Sequence, residues 1–342
     1  MTRVALLVGG GIGAEIVTPV LEVVSAAGAD VDWQRVDLPI RDAGELESSL
    51  EAAVDAVKDC GVGLKTRLFA PTEPVTPRGD VSGTHNPNVL LRQRLGLYAG
   101  VVPIRPLPGA KTRYPGVDLV LIRENTEDIY TGIEHEIVPG VVESLKVVTR
   151  AACERLARFA YRAIRTLGRR HLSFVHKANI MKMTDGLFLD VVREVAKEHP
   201  DVGYREVIVD AACMQLVLDP LQFDVLLTGN LYGDLLSNLG SGLAGGISGA
   251  HSINIGDELR VYEAVHGDAE HLTGRGIANP LPLLSPTLAL LRHLGEDRAS
   301  QRIERAVERV LVAGSPVTPD LGGTATTGEM AAGLIAAMAE VD

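Results

Sequence analysis

Oxygen-bearing side chains follow two apolar runs that read as buried strands. Asp210 comes directly after residues 207–209, and Asp234 and Asn238 follow residues 224–227. Because Asp234 and Asn238 are four residues apart, a helix after the second run places them on one face. Open α/β sheets bind ligands at the carboxyl ends of their strands, and oxygen ligands suit Mg²⁺ or Mn²⁺. This pattern predicts a divalent-cation site built from these three side chains.

Cationic and phenolic side chains near these runs suit an acidic substrate. Arg92 and Arg123 can each bind a carboxylate through paired hydrogen bonds. Lys177, at the end of an apolar run, and Tyr130 form a plausible pair for proton transfer beside a cation. Each residue alone also has an ordinary structural explanation as a helix cap, a solvated lysine or a packed ring. Only their combination favours a catalytic site.

Short β-branched runs alternate with helical patterns along most of the chain, which predicts an α/β protein with a mainly parallel sheet. Strands are expected at residues 3–8, 118–122, 171–175, 207–209 and 224–227, and helices at 16–26, 150–167, from a Thr184 cap to 195, and from 232 onward.

Three segments break this rhythm. Residues 70–87 are rich in proline and glycine and predict a long loop of the kind that often carries function. Residues 133–149 predict a hairpin around Pro139-Gly140 that could pair with another subunit. The N-terminal GGGIGAE lacks the spacing of the dinucleotide fingerprint, so its glycines are only a weak candidate for a ligand site.

Length and composition limit the class of protein. With 342 residues, 46% of them hydrophobic, the chain suits a folded protein of roughly two domains. The formal net charge of −11 and the lack of a Lys/Arg block argue against nucleic-acid and anionic-membrane partners. There is no run of apolar residues long enough to span a membrane, and three scattered cysteines suit a reducing cytoplasm.

Taken together, the motifs resemble the β-decarboxylating dehydrogenases, the family of isocitrate, isopropylmalate, homoisocitrate and tartrate dehydrogenases. The resemblance runs over nearly the whole chain and is nearest to the NAD-dependent isocitrate branch. It is carried by GGGIGAEI, IREN…Y.GIEH, SLKVVTR, HKANIMK, DGLF, NLYGDLLS, YEAVHG, IANP and LGGTATTGEM.

The resemblance implies a two-domain fold that is not a Rossmann fold. A large cofactor-binding domain would comprise residues 1–96 and 250–342, and a small dimerisation domain residues 97–249, with an intersubunit arm near 133–149. It also implies a homodimer with shared active sites, in which Lys177 and Asp210 reach the partner's site.

The resemblance also assigns roles to residues. Lys177 would help remove the hydroxyl proton of a 2-hydroxy acid while hydride passes to the nicotinamide, and Tyr130 would protonate the enol left after CO₂ departs. The implied substrate-binding residues are Thr84, His85, Asn86, Asn88, Arg92 and Arg123. The implied cofactor-binding residues are Glu263, His266, Gly267, His271, Leu272, Asn279 and Asp320, with Asp210, Asp234 and Asn238 for the metal.

The segments that the resemblance assigns to adenosine binding predict a cofactor preference. NADP-type members carry Lys-Tyr where this chain has His271-Leu272, and a Tyr and an Arg where it has Pro319 and Gly323. Because no cationic pair is present for a 2′-phosphate, we expect NAD rather than NADP.

Three departures from the family pattern bear on the substrate. Val102 stands where a third carboxylate-binding arginine is expected, Asn238 replaces the last acid of the metal cluster, and Ala70 replaces a threonine on the nicotinamide side. The long loop offers polar groups rather than the apolar residues of isopropylmalate enzymes, and either Arg78 or His85 could replace the missing arginine.

These departures leave three hypotheses for function. The first is an NAD-dependent isocitrate dehydrogenase with a modified pocket. The second is a sister enzyme for another 3-substituted malate, such as a phosphonomethyl analogue from a phosphonate antibiotic pathway, whose dianion would need the extra donors. The third is a non-catalytic regulatory subunit, against which the presence of Lys177, Tyr130, Asp210 and Asp234 argues.

Overall fold

The computed structural model of the chain describes residues 2–38, 40, 43–69, 81–82, 84, 86–267 and 269–339. Its strands are β1 (Thr2–Val8), β2 (Val31–Asp37), β3 (Val62–Lys65), β4 (Val81–Ser82), β5 (Ala99–Ile104), β6 (Leu119–Glu124), β7 (Ile133–Val138), β8 (Val141–Ser144), β9 (His171–His176), β10 (Gly203–Ile208), β11 (Val225–Thr228), β12 (His251–Ile255) and β13 (Arg260–Ala264). Its helices are α1 (Ile12–Ala26), α2 (Ala43–Cys60), α3 (Pro87–Arg94), α4 (Arg150–Thr166), α5 (Thr184–Lys197), α6 (Val209–Leu218), α7 (Asn230–Leu243), α8 (Leu281–His293), α9 (Asp297–Ala313) and α10 (Thr327–Ala339).

A single large sheet runs through the molecule in the order β10-β9-β11-β6-β5-β12-β13-β3-β1-β2. Six of its nine pairings are parallel, and the three antiparallel ones involve β5 or β12 near the middle. The prediction of an α/β fold with a mainly parallel sheet is therefore confirmed.

Both faces of this sheet are buried because successive side chains on a strand point to opposite sides. On β1, Val4 and Leu6 join the apolar core beneath α1, α8, α9 and α10, whereas Ala5 and Leu7 join the core beneath α2 and α3. At the other end of the sheet β6 alternates in the same way, with α4 and α5 on one face and α6 and α7 on the other. Helices thus cover the sheet on both sides, which explains the nearly continuous apolar runs of its strands. The division into two domains stays a prediction.

The predicted hairpin is present and lies outside the large sheet. Strands β7 and β8 pair antiparallel across a turn at Gly140, whose φ of 84° suits glycine. Strand β4 adds to the outer side of β7, and this pairing puts part of the predicted 70–87 loop into a strand. Residues 70–80, 83 and 85 lie outside the described residues, so the expectations for Arg78 and His85 are untouched by the structure.

Several element boundaries differ from those predicted. Val209 and Asp210 belong to the first turn of α6 rather than to the end of a strand, since β10 already ends at Ile208. Asp234 lies in the second turn of α7, one turn beyond the end of β11. Thr184 is the first residue of α5 instead of its cap, and no side-chain cap bond precedes it. Asp210 and Asp234 thus lie shortly after their strands, but in the first two turns of the helices that follow.

Candidate active site

A cavity of about 330 Å³ opens beside the middle of the large sheet, where β6, β5, β12 and β13 meet α3 and α7. The sequence-predicted residues that line it are Asn86, Asn88, Arg92, Arg123, Tyr130, Asp234, Asn238, Glu263 and His266. Arg67, Val102, Asn125 and three serines complete much of the wall. The structure thus gathers most of the predicted substrate-binding residues in one place.

The start of α3 is fixed by local chemistry. Asn86 caps the helix by accepting a hydrogen bond from the backbone of Asn88, and Pro87 takes the first helical position, where its missing N–H costs nothing. The side chain of Asn88 is itself held, because Oδ1 accepts from Lys65 Nζ at 2.8 Å and Nδ2 donates to the Leu68 carbonyl at 2.8 Å. These bonds hold the pocket end of the helix against the segment that follows β3.

Three side chains form a connected polar centre in the cavity. Arg123 Nη1 lies 2.6 Å from Asp234 Oδ1, and the Tyr130 hydroxyl donates to Asp234 Oδ2 at 3.0 Å. Arg123 also donates from Nε and Nη2 to Asn230 Oδ1, at 2.9 and 2.7 Å. Gly233 permits this packing, because a Cβ there would lie 2.4 Å from the Arg123 side chain. Burial raises the pKa of Tyr130, which keeps its proton in place as an acid.

Arg92 is a buried cation with donor capacity to spare. It is 9% exposed, and Nη1 donates to Asn125 Oδ1 at 3.2 Å. Its buried Nε has no hydrogen-bond partner among the described residues. Burial lowers the pKa of Arg92 but leaves it charged at neutral pH. A buried guanidinium with an unsatisfied N–H on a cavity wall is suited to a bound carboxylate.

Behind this wall lies an ion pair between Lys65 and Glu263. Lys65 is 1% exposed and its Nζ lies 2.6 Å from Glu263 Oε1. Asn254 Nδ2 donates to the other oxygen of Glu263 at 2.7 Å. Burial alone would raise the pKa of Glu263, but the charges of Lys65 and Arg92 and these hydrogen bonds lower it to about 2. Glu263 therefore stays ionised and contributes fixed negative charge to the wall.

Lys177 and Asp210 are not part of this cavity. They lie on an exposed surface and pair with each other, with 2.5 Å between Lys177 Nζ and Asp210 Oδ1. The hydrogen bond from Lys177 lowers the pKa of the Asp210 carboxyl. Asp185 accepts from the Lys177 backbone N–H at 2.7 Å and holds the segment in place. Within one chain, therefore, Lys177 does not line the cavity that contains Tyr130.

Asp128 holds the turn that leads to Tyr130 in an unusual conformation. Its φ of 71° and ψ of −153° fall in a region that glycine adopts readily and other residues rarely do. Its carboxylate accepts from the backbone N–H groups of Ile129 and Leu231, at 2.8 and 3.1 Å. Asp128 therefore connects the turn that carries Tyr130 to the helix that carries Asp234.

Comparison with known proteins decides the family. Residues 3–334 match the family model described as isocitrate/isopropylmalate dehydrogenase. The chain belongs to the isocitrate/isopropylmalate dehydrogenase family. Its general activity is therefore the oxidative decarboxylation that isocitrate and isopropylmalate dehydrogenases catalyse.

Relatives of this dehydrogenase carry different names. It is 43% identical to NAD isocitrate dehydrogenase catalytic subunit 5 of Arabidopsis thaliana, over 95% of this chain and 85% of the relative. It is 42% identical to the chloroplastic 3-isopropylmalate dehydrogenase of Solanum tuberosum, over 92% and 86%. The crystal structure of isocitrate dehydrogenase from Methylococcus capsulatus superposes with a TM-score of 0.89 at 40% identity, covering 99% of both chains. Because names from both branches match almost equally, the substrate must be argued from the site.

The predicted cofactor residues of the dehydrogenase fall into two groups. Glu263 and His266 face the cavity, and burial lowers the pKa of His266 so that its ring is neutral. Asn279 lies apart from them and donates to Asp320 Oδ2 at 2.8 Å, which connects two of the predicted segments. The other predicted members of this set, Gly267, His271 and Leu272, lie on the loop that follows β13, with Leu272 half-buried and the other two exposed.

The part of the chain that the structure describes supplies some of the oxygen donors that a divalent cation needs. Among the described residues, no three acidic, His or Cys side chains form a cluster that could hold a metal. Asp234 lies in the cavity wall, and one turn later the Asn238 amide donates to the Asp234 carbonyl at 2.9 Å. The oxygen atoms of these two side chains are of the kind that suits Mg²⁺ or Mn²⁺.

The structure also reveals residues that sequence reasoning missed. Lys65 and Asn230 gave no signal, because Glu263 and Arg123, which they contact, lie 198 and 107 residues away in the sequence. Arg67 lies two residues after the end of the buried strand β3, and this placement of a basic residue could have drawn attention to it. Thr84, which was predicted, accepts from the Asn86 backbone at 3.1 Å and is not among the residues that line the cavity.

Proposed function

We propose that the chain is an NAD- and metal-dependent dehydrogenase that oxidatively decarboxylates a 3-substituted malate, with isocitrate or a close analogue as the substrate. The observation that carries this proposal is the joint placement of Tyr130, Asp234 and Arg123 in a cavity that also contains the buried Arg92. An acid, a metal ligand and two carboxylate-binding cations are the groups that this reaction requires.

The reaction can be written in terms of these residues. Arg92 and Arg123 would bind substrate carboxylates, while Lys65 balances the charge of the ionised Glu263 behind them. Lys177, supplied by a second copy, would take the proton of the C2 hydroxyl, and a bound NAD⁺ would supply the acceptor for the C2 hydride. The C3 carboxylate then leaves as CO₂, its bonding electrons form the enolate, and Tyr130 gives its proton to C3. A bound Mg²⁺ or Mn²⁺ supplies Lewis-acid chemistry that stabilises negative charge on the C2 oxygen.

A homodimer with shared sites accounts for the separation of Lys177 from Tyr130. The hairpin exposes Ile137, Val138, Val141 and Val142 to between 49% and 64%, and β8 forms the outer edge of its small sheet. Exposed apolar strand edges are strong candidates for pairing with another chain. Met183, six residues after Lys177, and Leu218, at the end of the helix that begins beside Asp210, are also exposed. Docking a second copy on this surface would bring Lys177 and Asp210 towards its cavity.

NAD is the cofactor that the chain supports best. The names of several of its relatives include NAD. His271-Leu272 and Pro319 offer no cation pair for a 2′-phosphate. Among the described residues no helix is long and apolar enough to cross a membrane. We keep the cytoplasm as the proposed compartment, which the free thiols of Cys60, Cys153 and Cys213 support.

One observation favours a second candidate, a sister enzyme for a different 3-substituted malate such as the phosphonomethyl analogue of isocitrate. Val102 is 5% exposed in the cavity wall, where the family resemblance implies an arginine. The cavity serines do not replace that arginine, because Ser237 and Ser241 donate their hydroxyl protons to the Asp234 and Ser237 carbonyls within α7. The pocket therefore differs at Val102 from one built for three carboxylates.

The decisive experiment is the rate of NADH formation by the wild-type dimer with Mg²⁺ and isocitrate, 3-isopropylmalate or 3-phosphonomethylmalate. We expect turnover in the ordinary enzymatic range, about 1–10³ s⁻¹, with one of these acids. NADP⁺ in place of NAD⁺ should support far less. A Lys177→Ala variant should bind the acid and form no NADH. Wild-type protein that binds these acids and NAD⁺ without turnover would refute the proposal in favour of a regulatory subunit.

A further inference from the structure

We propose that Asn125 and Asn254 are positioning residues that hold the guanidinium of Arg92 ready for a substrate carboxylate. This inference deepens the proposed function and rests on it. Asn125 follows β6 directly, and Asn254 lies on β12. Both side chains are 1% exposed. Burying an amide is costly unless its hydrogen bonds are made, so the partners of these two residues indicate what they do.

A series of hydrogen bonds connects Arg92 to Glu263 through the two amides. Arg92 Nη1 donates to Asn125 Oδ1 at 3.2 Å. Asn125 Nδ2 donates to Asn254 Oδ1 at 2.7 Å, and Asn254 Nδ2 donates to Glu263 Oε2 at 2.7 Å. A buried cation beside β6 is thus connected to a carboxylate on β13 by two side chains that carry no charge.

The two charged ends fix the orientation of both amides. A guanidinium can only donate hydrogen bonds, and an ionised carboxylate can only accept them. All three bonds form only when each amide turns its oxygen towards Arg92 and its N–H groups towards Glu263. Bonds arranged in this way polarise and strengthen one another. Burial lowers the pKa of Arg92, and the negative charge of Glu263 opposes that effect.

A glycine on the intervening strand makes room for the contact between the amides. Strand β5 lies between β6 and β12, so two strand spacings, about 10 Å, separate their backbones. The residue of β5 that pairs with Asn254 is Gly100. A Cβ there would lie 3.1 Å from Asn125 Oδ1, the atom that accepts from Arg92. The amides therefore meet across β5 at a position where that strand has no side chain.

This support matters because Arg92 has few other constraints. Among the described residues Asn125 is its hydrogen-bond partner, and its buried Nε has none. A guanidinium is planar, so a bond at Nη1 also restricts the directions of its other N–H groups. Freedom that the side chain has already lost is not lost again when a ligand binds. A substrate carboxylate would thus meet a cation that is already oriented.

The test is a double-mutant cycle on the binding of isocitrate with Mg²⁺, measured by isothermal titration of the full-length protein. Arg92→Gln should weaken isocitrate binding about 10- to 100-fold, and Asn254→Leu, which removes both amide bonds at similar volume, about tenfold. Asn254→Leu should cause little further loss in the Arg92→Gln protein, because the cation that it positions is then absent.

Two more variants separate positioning from stability. Ser300→Ala removes a buried hydrogen bond to the Leu288 carbonyl between α8 and α9. It should lower stability in urea and bind isocitrate like wild type. Gly100→Ala keeps every group of the series but crowds Asn125, so it should also weaken isocitrate binding, and less so in the Arg92→Gln protein. It takes the place of Asn254→Leu in the cycle if that variant does not fold.

The outcomes for the two proposals differ. Losses that add in the double variant, or wild-type affinity in Asn254→Leu, overturn the positioning role even if the enzyme forms NADH normally. Losses that do not add, in a protein that forms no NADH from any of the three malates, support the positioning role and refute the proposed function. Wild-type protein that binds neither isocitrate nor 3-isopropylmalate overturns both.

Discussion

The buried pair between Lys65 and Glu263 offers the sharpest test of how the site is held together. Lys65 Nζ contacts Glu263 Oε1 at 2.6 Å and Asn88 Oδ1 at 2.8 Å, and the lysine is 1% exposed. Lys65→Met keeps an unbranched side chain of similar volume but removes the charge. The variant therefore leaves the Glu263 carboxylate in its buried place without its nearest cation.

The size of the effect follows from the pKa of Glu263, which the surroundings lower from 4.5 to about 2. That fall corresponds to about 3 kcal/mol of stability, close to the 3–5 kcal/mol typical for breaking a buried pair. Arg92 and Asn254 supply part of the lowering and remain in the variant. We therefore expect Lys65→Met to reduce the free energy of unfolding at neutral pH by about 2–3 kcal/mol.

The pH dependence has a definite sign. A carboxyl with a depressed pKa stabilises the fold above its unfolded pKa, and this contribution disappears as the pH falls through the folded value. For Glu263 the window runs from 4.5 down to about 2. The difference in the free energy of unfolding between wild type and Lys65→Met should therefore decrease as the pH falls from 4.5 to about 2.

Urea unfolding at neutral and acidic pH measures both quantities. Lys58→Met, at an exposed lysine near the end of α2, is the control and should match wild type. Lys65→Met combined with Glu263→Gln should recover stability, because no buried charge is then left alone. A Lys65→Met protein as stable as wild type at neutral pH, or a deficit that persists unchanged in acid, would refute this account of the pair.

Three further predictions concern the reaction. Tyr130→Phe removes the acid but not the ring, so NADH formation should fall about 10²- to 10⁴-fold while the KM for substrate changes little; a fall confined to KM would contradict the role. Mixing Tyr130→Phe and Lys177→Ala chains after separate purification should restore about a quarter of wild-type activity, because mixed dimers with shared sites contain one intact site; no recovery would show that both residues act within one chain. Asn238→Asp adds a carboxylate to the cation donors, so titration should show Mg²⁺ binding about tenfold tighter, and an unchanged Mg²⁺ dependence would mean that residue 238 is not a ligand.

Much of the fold was predictable because its strands are buried on both faces. Residues 3–8 and 171–175 are mostly apolar, and they form β1 and β9 within one residue of the predicted starts. The helix predicted at 150–167 forms α4, whose apolar positions repeat at helical spacing. The strand predicted at 207–209 was displaced because β10 begins at Gly203 with half-buried and exposed residues that carry no strong apolar signal.

The candidate site was predictable as a set of residues but not as a set of contacts. Arg92, Arg123, Tyr130 and Asp234 meet in the cavity, as the motifs suggested. Their support is long-range: Lys65 and Glu263 are separated by 198 residues in sequence. No local pattern encodes a pairing of that kind, because sheet order alone brings β3 beside β13.

Asp128 shows why local rules are least informative near such a site. Backbone statistics favour glycine at a φ of 71°, so the residue type gave no hint of the conformation. Strain of this kind costs about 1–3 kcal/mol and persists only where the surroundings impose it. Here the N–H groups of Ile129 and Leu231 impose it by binding the carboxylate. The strained residue thus maintains the alignment of Tyr130 with α7.

The two substitutions that looked independent in the sequence lie on one wall of the cavity. Val102 stands in place of an expected cation and Asn238 in place of an expected anion, and both line the same space. Losing an arginine alone would leave a nearby carboxylate uncompensated, whereas losing both removes two charges and leaves the net charge of that wall unchanged. The cavity thus has neutral side chains at two positions where a cation and an anion are expected, and its substrate should differ from a plain tricarboxylate in the group that faces Val102.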